Sequence, residues 1–151
     1  MDQETINPKT ALRLTRVLNA SPAEVYEALS DPKQIKQWHL PGQGFSVTQA
    51  IVEDHVGGKY LIEMKSSDGK SYPMRGHLLE VVPNQKLEMT STWDGPDAIE
   101  TVVTFELEAV EGGKTLLTLT HKNFVSEEQV RDHSGGWNVI LDKLVTFLDK
   151  Q

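Results

Sequence analysis

Five histidines and no cysteine set the terms for any chemistry in this 151-residue chain. Without cysteine there is no thiol nucleophile, no disulfide and no thiolate zinc site. His39, His55, His77, His121 and His133 include no His-x-His or His-x-x-x-His pair, the spacing by which a hairpin or helix offers two metal ligands. No metal and no cofactor are therefore expected. His121 is the imidazole with a chemical prospect: it shares strand parity with Leu117 and Leu119 and should point inward. His133 is expected just before the long C-terminal helix, where it can approach the same end. An inward imidazole usually completes a buried hydrogen-bond network; its chemical alternative is to polarise a ligand or act as a general base, as in a cyclase or hydrolase. His39, His55 and His77 read as surface or strand-edge residues. Glu127-Glu128 and Glu106/Glu108 read as solvated faces or first-turn acids favoured by a helix dipole. No Gly-x-Ser-x-Gly elbow, phosphate loop or dinucleotide fingerprint occurs. Gly57-Gly58, Gly112-Gly113 and Gly135-Gly136 read as turn or cap glycines. No catalytic residue is assigned.

Binding chemistry has better candidates. Trp38, Met64, Met74, Met89, Trp93 and Trp137 can all face one groove. Adaptable methionine and broad aromatic surfaces suit a pocket for an apolar guest. With Tyr60, Ile62, His121 and Leu141 they make up the candidate ligand cavity. The same residues would equally fill a solid core, because both arrangements need apolar side chains at inward positions.

The elements that must position these residues are mostly strands. Ala11–Asn19 suits a first strand, and Ser21-Pro22-Ala23-Glu24 is a capping box with proline at N1, opening a short helix with Val25, Ala28 and Leu29 inward. Asp31-Pro32-Lys33-Gln34 repeats the device and starts a second short helix bearing Ile35 and Trp38. From Phe45 the pattern turns to period two. Strands are expected at 45–53, 59–65, 72–82, 86–93, 98–110 and 114–122, separated by turn signals such as Ser66-Ser67-Asp68-Gly69, Pro83-Asn84 and Asp94-Gly95-Pro96. The chain closes on a helix from Ser134 to Leu148. Trp137, Leu141, Leu144, Val145 and Leu148 recur at i, i+4, i+7, i+8 and i+11, one helical face, and Ile140 and Phe147 widen it. Consecutive strands with short turns predict an antiparallel meander. The expected fold is α+β: a curved antiparallel sheet of six or seven strands around a long C-terminal helix, with two short helices after the first strand. Residues 1–10 are expected to form an N-terminal tail and 11–151 a single domain.

A net charge of −7, with fifteen Lys and Arg scattered among acids, argues against a nucleic-acid partner, which needs a clustered basic surface. No apolar run approaches the ~18 residues of a membrane span. The first residues lack the basic and apolar regions of a signal peptide. The expectation is a cytoplasmic protein.

In this order the motifs also resemble a known family. Thr15-Arg16 with Ala20–Tyr26, Leu29-Ser30-Asp31-Pro32 with Trp38, and Gly57-Gly58 before a strand come first. Gly76 with Leu79–Leu87, Leu117–His121, and His133 with Gly136-Trp137, Leu141 and Leu144 follow. Together they resemble the helix-grip (Bet v 1-like, START-like, SRPBCC) superfamily over roughly residues 11–149. Within it they look like bacterial stand-alone proteins similar to the C-terminal domain of the activator of Hsp90 ATPase. Many relatives carry a second aromatic after the tryptophan, where this chain has His39-Leu40, so the cavity mouth should be lined differently. The resemblance implies a hydrophobic cavity between sheet and long helix, lipids or polyketide-like molecules as ligands in some branches, and no shared catalytic motif. The function expected is binding of a small hydrophobic or amphipathic ligand by a monomer or homodimer. The alternatives are a stress-response protein whose partner is a chaperone, and an enzyme using His121.

Overall fold

The computed structural model describes residues 5–95 and 98–149. Pro96, the first four residues of the expected tail and the last two residues of the expected domain lie outside them. Ten elements follow in order: β1 (Ala11–Leu18), α1 (Pro22–Ser30), α2 (Pro32–Trp38), β2 (Ser46–Val52), β3 (Lys59–Lys65), β4 (Ser71–Val82), β5 (Lys86–Thr92), β6 (Glu100–Val110), β7 (Lys114–Lys122) and α3 (Glu127–Asp149). The strands form one antiparallel sheet in the order β1-β7-β6-β5-β4-β3-β2. Only β1 leaves the meander, pairing with β7 from Ala11↔Lys122 to Leu18↔Thr115. The α1–α2 segment carries the chain from that edge to the other, where α2 packs against β2 while α3 packs against β1. This is the expected α+β architecture, with seven strands.

The two short helices form as their caps require. Ser21 Oγ accepts from Glu24 N at 3.2 Å and Glu24 Oε1 accepts from Ser21 N at 2.9 Å, the reciprocal box that satisfies orphan helix donors. Asp31 caps α2 by accepting from Lys33 N at 3.0 Å, but the box is not repeated there. The Asp31 amide already donates to Glu27 O, ending α1, so Gln34 turns its side chain to Glu27 Oε1 at 2.7 Å instead. Trp38 and Tyr60 then lock α1 onto the rest of the fold. Trp38 Nε1 donates to Ala28 O at 3.0 Å and Tyr60 Oη to Leu29 O at 3.2 Å, satisfying carbonyls that a helix end leaves free.

Helix α3 begins two turns earlier than expected, and Gly135-Gly136 lie inside it rather than at a cap. Ser126 Oγ accepts from Gln129 N at 3.2 Å, and Gln129 Oε1 accepts from Val125 N at 3.0 Å. That cap, with Glu127 and Glu128 in the first turn, starts the helix upstream. Two interior glycines cost roughly 1 kcal/mol each, which burial of Trp137, Ile140, Leu141, Leu144 and Leu148 outweighs. His133 is therefore a helical residue and not part of the preceding loop. Val145 and Phe147 flank the buried stripe, packed against the core but only partly covered.

The core lies between the sheet's inner face and α3. Register aligns its side chains in rows across β5, β6 and β7: Leu87, Phe105 and Leu119, then Met89, Val103 and His121. The next row pairs Ser91 with Thr101. Irregularities between Val47 and Gln49 and between Leu78 and Glu80 mark bulges, which bend and twist strands. Gly76 permits the close approach of β4 to β5: a Cβ there would stand 1.7 Å from Thr90 O.

Candidate functional site

Where the inward rows change from Leu87-Phe105-Leu119 to Ser91-Thr101, side chains become small and polar, and the sheet stops filling the space under α3. A cleft of about 450 Å³ opens there. Its walls come from four sources. The loop after α2 gives His39, Pro41 and Phe45; β3 and β4 give Met64, Tyr72, Pro73 and Met74; β5 and the residues after it give Ser91, Trp93 and Asp94; α3 gives Asp132, His133, Gly136, Trp137 and Ile140. His121 closes the floor. Gly136 keeps the helix side open, since a Cβ there meets only Pro41 Cβ at 4.0 Å.

Of the ten residues expected to form a cavity, Met64, Met74, Trp93, His121 and Trp137 line this cleft. Trp38, Tyr60, Ile62, Met89 and Leu141 are instead sealed in the adjoining core at 0–1% exposure. All ten have the inward orientation that sequence predicts; the two groups differ in which row they occupy and how much helix covers them. The lining also includes residues that sequence reading passed over. Phe45 and Tyr72 meet with ring centroids 5.7 Å apart, Ser91 continues the parity of Leu87 and Met89, and His39 is not the surface histidine it was expected to be.

His39 is 1% exposed. Its ring lies 5.4 Å from that of Trp38 and 5.5 Å from Trp137, edge-on to the latter. Among the described residues, its two nitrogens are the only side-chain polar atoms both sealed from solvent and unpartnered. Burial depresses its pKa to about 4, because a charged imidazole cannot be solvated there. The residue follows the last turn of α2, a position whose orientation no periodicity in the sequence announces.

His121, by contrast, is fully engaged. Trp137 Nε1 donates to its Nδ1 at 3.0 Å. Its Nε2 lies 2.7 Å from Thr101 Oγ1, which itself donates to Ser91 O at 2.8 Å. The donors fix one neutral tautomer, with the proton on Nε2, running Trp137→His121→Thr101→Ser91 carbonyl. Burial, and then the neighbouring His133, hold its pKa well below the ordinary value. The relay satisfies every polar atom it contains, and it leaves His121 no lone pair with which to take a proton from a ligand.

His133 stands beside it, ring centroids 5.3 Å apart, and packs 4.6 Å from Trp93 and 4.9 Å from Phe124. Its Nδ1 is 3.0 Å from Gln129 O. A carbonyl only accepts, so Nδ1 carries the proton. Burial lowers its pKa, opposed by that hydrogen bond and by Asp132. Both imidazoles singled out by sequence thus reach the same cleft, one consumed by structure and one with a nitrogen to spare. Among the described residues no group of three or more His, Asp or Glu is placed to hold a metal, and no helix is long and apolar enough to cross a membrane.

Comparison with known proteins agrees with the fold. A protein from Chromobacterium violaceum is similar, at 27% identity and a TM-score of 0.82 over 92% of this chain and 97% of its own. The AHSA1 protein from Silicibacter pomeroyi is similar at 28% identity, a TM-score of 0.81 and the same coverages. A Mycobacterium smegmatis protein shares the fold at 15% identity, with a TM-score of 0.78 over 99% and 98%. No curated protein matches in sequence. Residues 19–149 match the family described as activator of Hsp90 ATPase homolog 1-like protein, and the chain belongs to that family.

Proposed function

We propose that this protein binds a small, mainly apolar molecule in the cleft between the sheet and α3. The observation that carries the reading is the cleft itself. Pockets of about 300–1,000 Å³ lined by apolar and aromatic groups with a few placed polar atoms are the usual form of a small-molecule site. At about 450 Å³, with Phe45, Met74, Trp93 and Trp137 in its walls and His133 as a polar atom source, this one has that form. The apparatus for catalysis is thin, since the His121 nitrogens are occupied.

Native mass spectrometry of protein from its own host should reveal a co-purifying small molecule. In parallel, the neutral dye Nile red should bind wild type and fail to bind Gly136→Phe. A side chain at that position has nowhere to grow but the cleft and the gap beside Pro41. Equal dye binding by a folded Gly136→Phe variant would place the binding elsewhere and sink the proposal.

Family membership supports a second reading, action on a chaperone through the outer surface. It predicts that excess protein changes the ATPase rate of the host's Hsp90; an unchanged rate counts against it.

A further inference from the structure

We infer that His133 is the specificity-determining residue of the cleft, accepting through Nε2 a hydrogen bond from a hydroxyl on an otherwise apolar ligand. This deepens the binding reading above and rests on it. Gln129 O accepts a hydrogen bond from Nδ1–H at 3.0 Å, so the neutral ring presents a lone pair at Nε2, and an acceptor answers only to a donor. No group among the described residues engages that nitrogen. Nor is it among the sealed and unpartnered side-chain atoms, which among the described residues are those of His39 alone, so the nitrogen keeps some exposure on a residue that lines the cleft. Trp93 and Phe124, themselves in contact at 6.3 Å, both pack against the ring, and with the Nδ1 hydrogen bond they restrict the direction of the lone pair.

Charge narrows the ligand further. Among the described residues the charged side chains lining the cleft, Asp94 and Asp132, are both acids, and neither lysine nor arginine lines it. Asp94 is paired with Arg75 outside the lining. A carboxylate or phosphate would find no counter-charge among these lining residues, would face a like charge at Asp132, and would turn its own lone pairs toward that of Nε2. A hydroxyl meets none of these penalties and brings the donor the site lacks. Burial keeps His133 neutral at ordinary pH, so the preference should hold across the neutral range.

Three probes of one shape test this: naphthalene, 2-naphthol and 2-naphthoate, titrated into the protein by calorimetry and by NMR with ¹⁵N-labelled histidine. 2-Naphthol should bind wild type about ten-fold more tightly than naphthalene, the worth of one good hydrogen bond, with 2-naphthoate weakest. Its binding should shift the His133 Nε2 resonance and leave that of His121 in place. His133→Phe should bring the naphthol-to-naphthalene ratio close to one while naphthalene still binds. If wild type binds naphthalene but shows a ratio near one, or prefers 2-naphthoate, the role of His133 is refuted and the cleft remains a binding site. Failure of all three probes to bind overturns both. The wild-type titrations decide the matter even if the variant does not fold.

Discussion

Replacing His39 with leucine should make the protein more stable, although the residue is buried and flanked by two tryptophans. The native imidazole has an unpartnered donor and an unpartnered acceptor, and each such sealed group costs about 1–3 kcal/mol. Leucine of similar bulk removes both. Against that gain stands the loss of the ring contacts at 5.4 and 5.5 Å to Trp38 and Trp137, worth about 0.5–1.5 kcal/mol apiece. The balance at pH 7.5 is a gain of about 1–3 kcal/mol. The gap should then widen in acid. The folded-state pKa of His39 is depressed to about 4 from 6.5, so between those values the unfolded chain binds more protons than the native one. The wild type therefore keeps its full stability above about pH 6.5 and loses it as pH falls toward about 4. At roughly 1.4 kcal/mol per pH unit, the wild type forfeits about 2–3 kcal/mol by pH 4.5 that the leucine variant keeps. His121, His133 and the carboxylates titrate in both proteins and cancel in the difference.

Urea denaturation followed by tryptophan fluorescence, at pH 7.5 and 4.5, measures both quantities. A leucine variant less stable than wild type by more than about 1 kcal/mol at pH 7.5 would show that the nitrogens have partners in solution. A stability difference that does not change between the two pH values would refute the assigned protonation state.

Other substitutions probe the neighbouring features. Trp137→Ala should cost about 3–5 kcal/mol, measured by the same denaturation; a loss below about 1 kcal/mol would mean that the indole contributes little packing. Trp137→Phe keeps most of the ring but strips the donor from His121 Nδ1, and should cost about 1–3 kcal/mol, a penalty that Thr101→Val should compound because both act on one relay. Gly135→Ala should stabilise by about 1 kcal/mol, since its Cβ meets nothing within 4 Å and the helix interior favours alanine; a loss of stability would mean that the helix must bend there. Gly76→Ala should be strongly destabilising, by more than about 3 kcal/mol, because its Cβ would collide with Thr90 O at 1.7 Å; soluble expression and thermal melts would show it.

The residues explain why the fold was readable and the cleft was not. Strand β7 lies where its period-two pattern put it, and α1 where Ser21 and Glu24 put its start, because those signals are local: a turn, a cap or a parity acts within a few residues. Helix α3 reads too short for the same reason, two glycines locally outweighing a cap at Ser126 that lies nine residues before Gly135 and draws on Gln129. Parity says which face a residue occupies but not what stands opposite. Met74 and Met89 both point inward, yet Met89 is sealed in a row with Val103 and His121 while Met74 looks into open space. The distinction depends on the register that brings Ser91 beside Thr101 and on Gly136 facing that row from the helix. Each of these is an ordinary small residue in the sequence, and only their coincidence leaves a volume. His39 follows the same logic from the other direction. Its burial is decided by Trp38 on one side and by Trp137, nearly a hundred positions later, on the other. A site made from absent side chains and distant neighbours is the part of a protein that local pattern reports least, and here it is the part on which ligand choice depends.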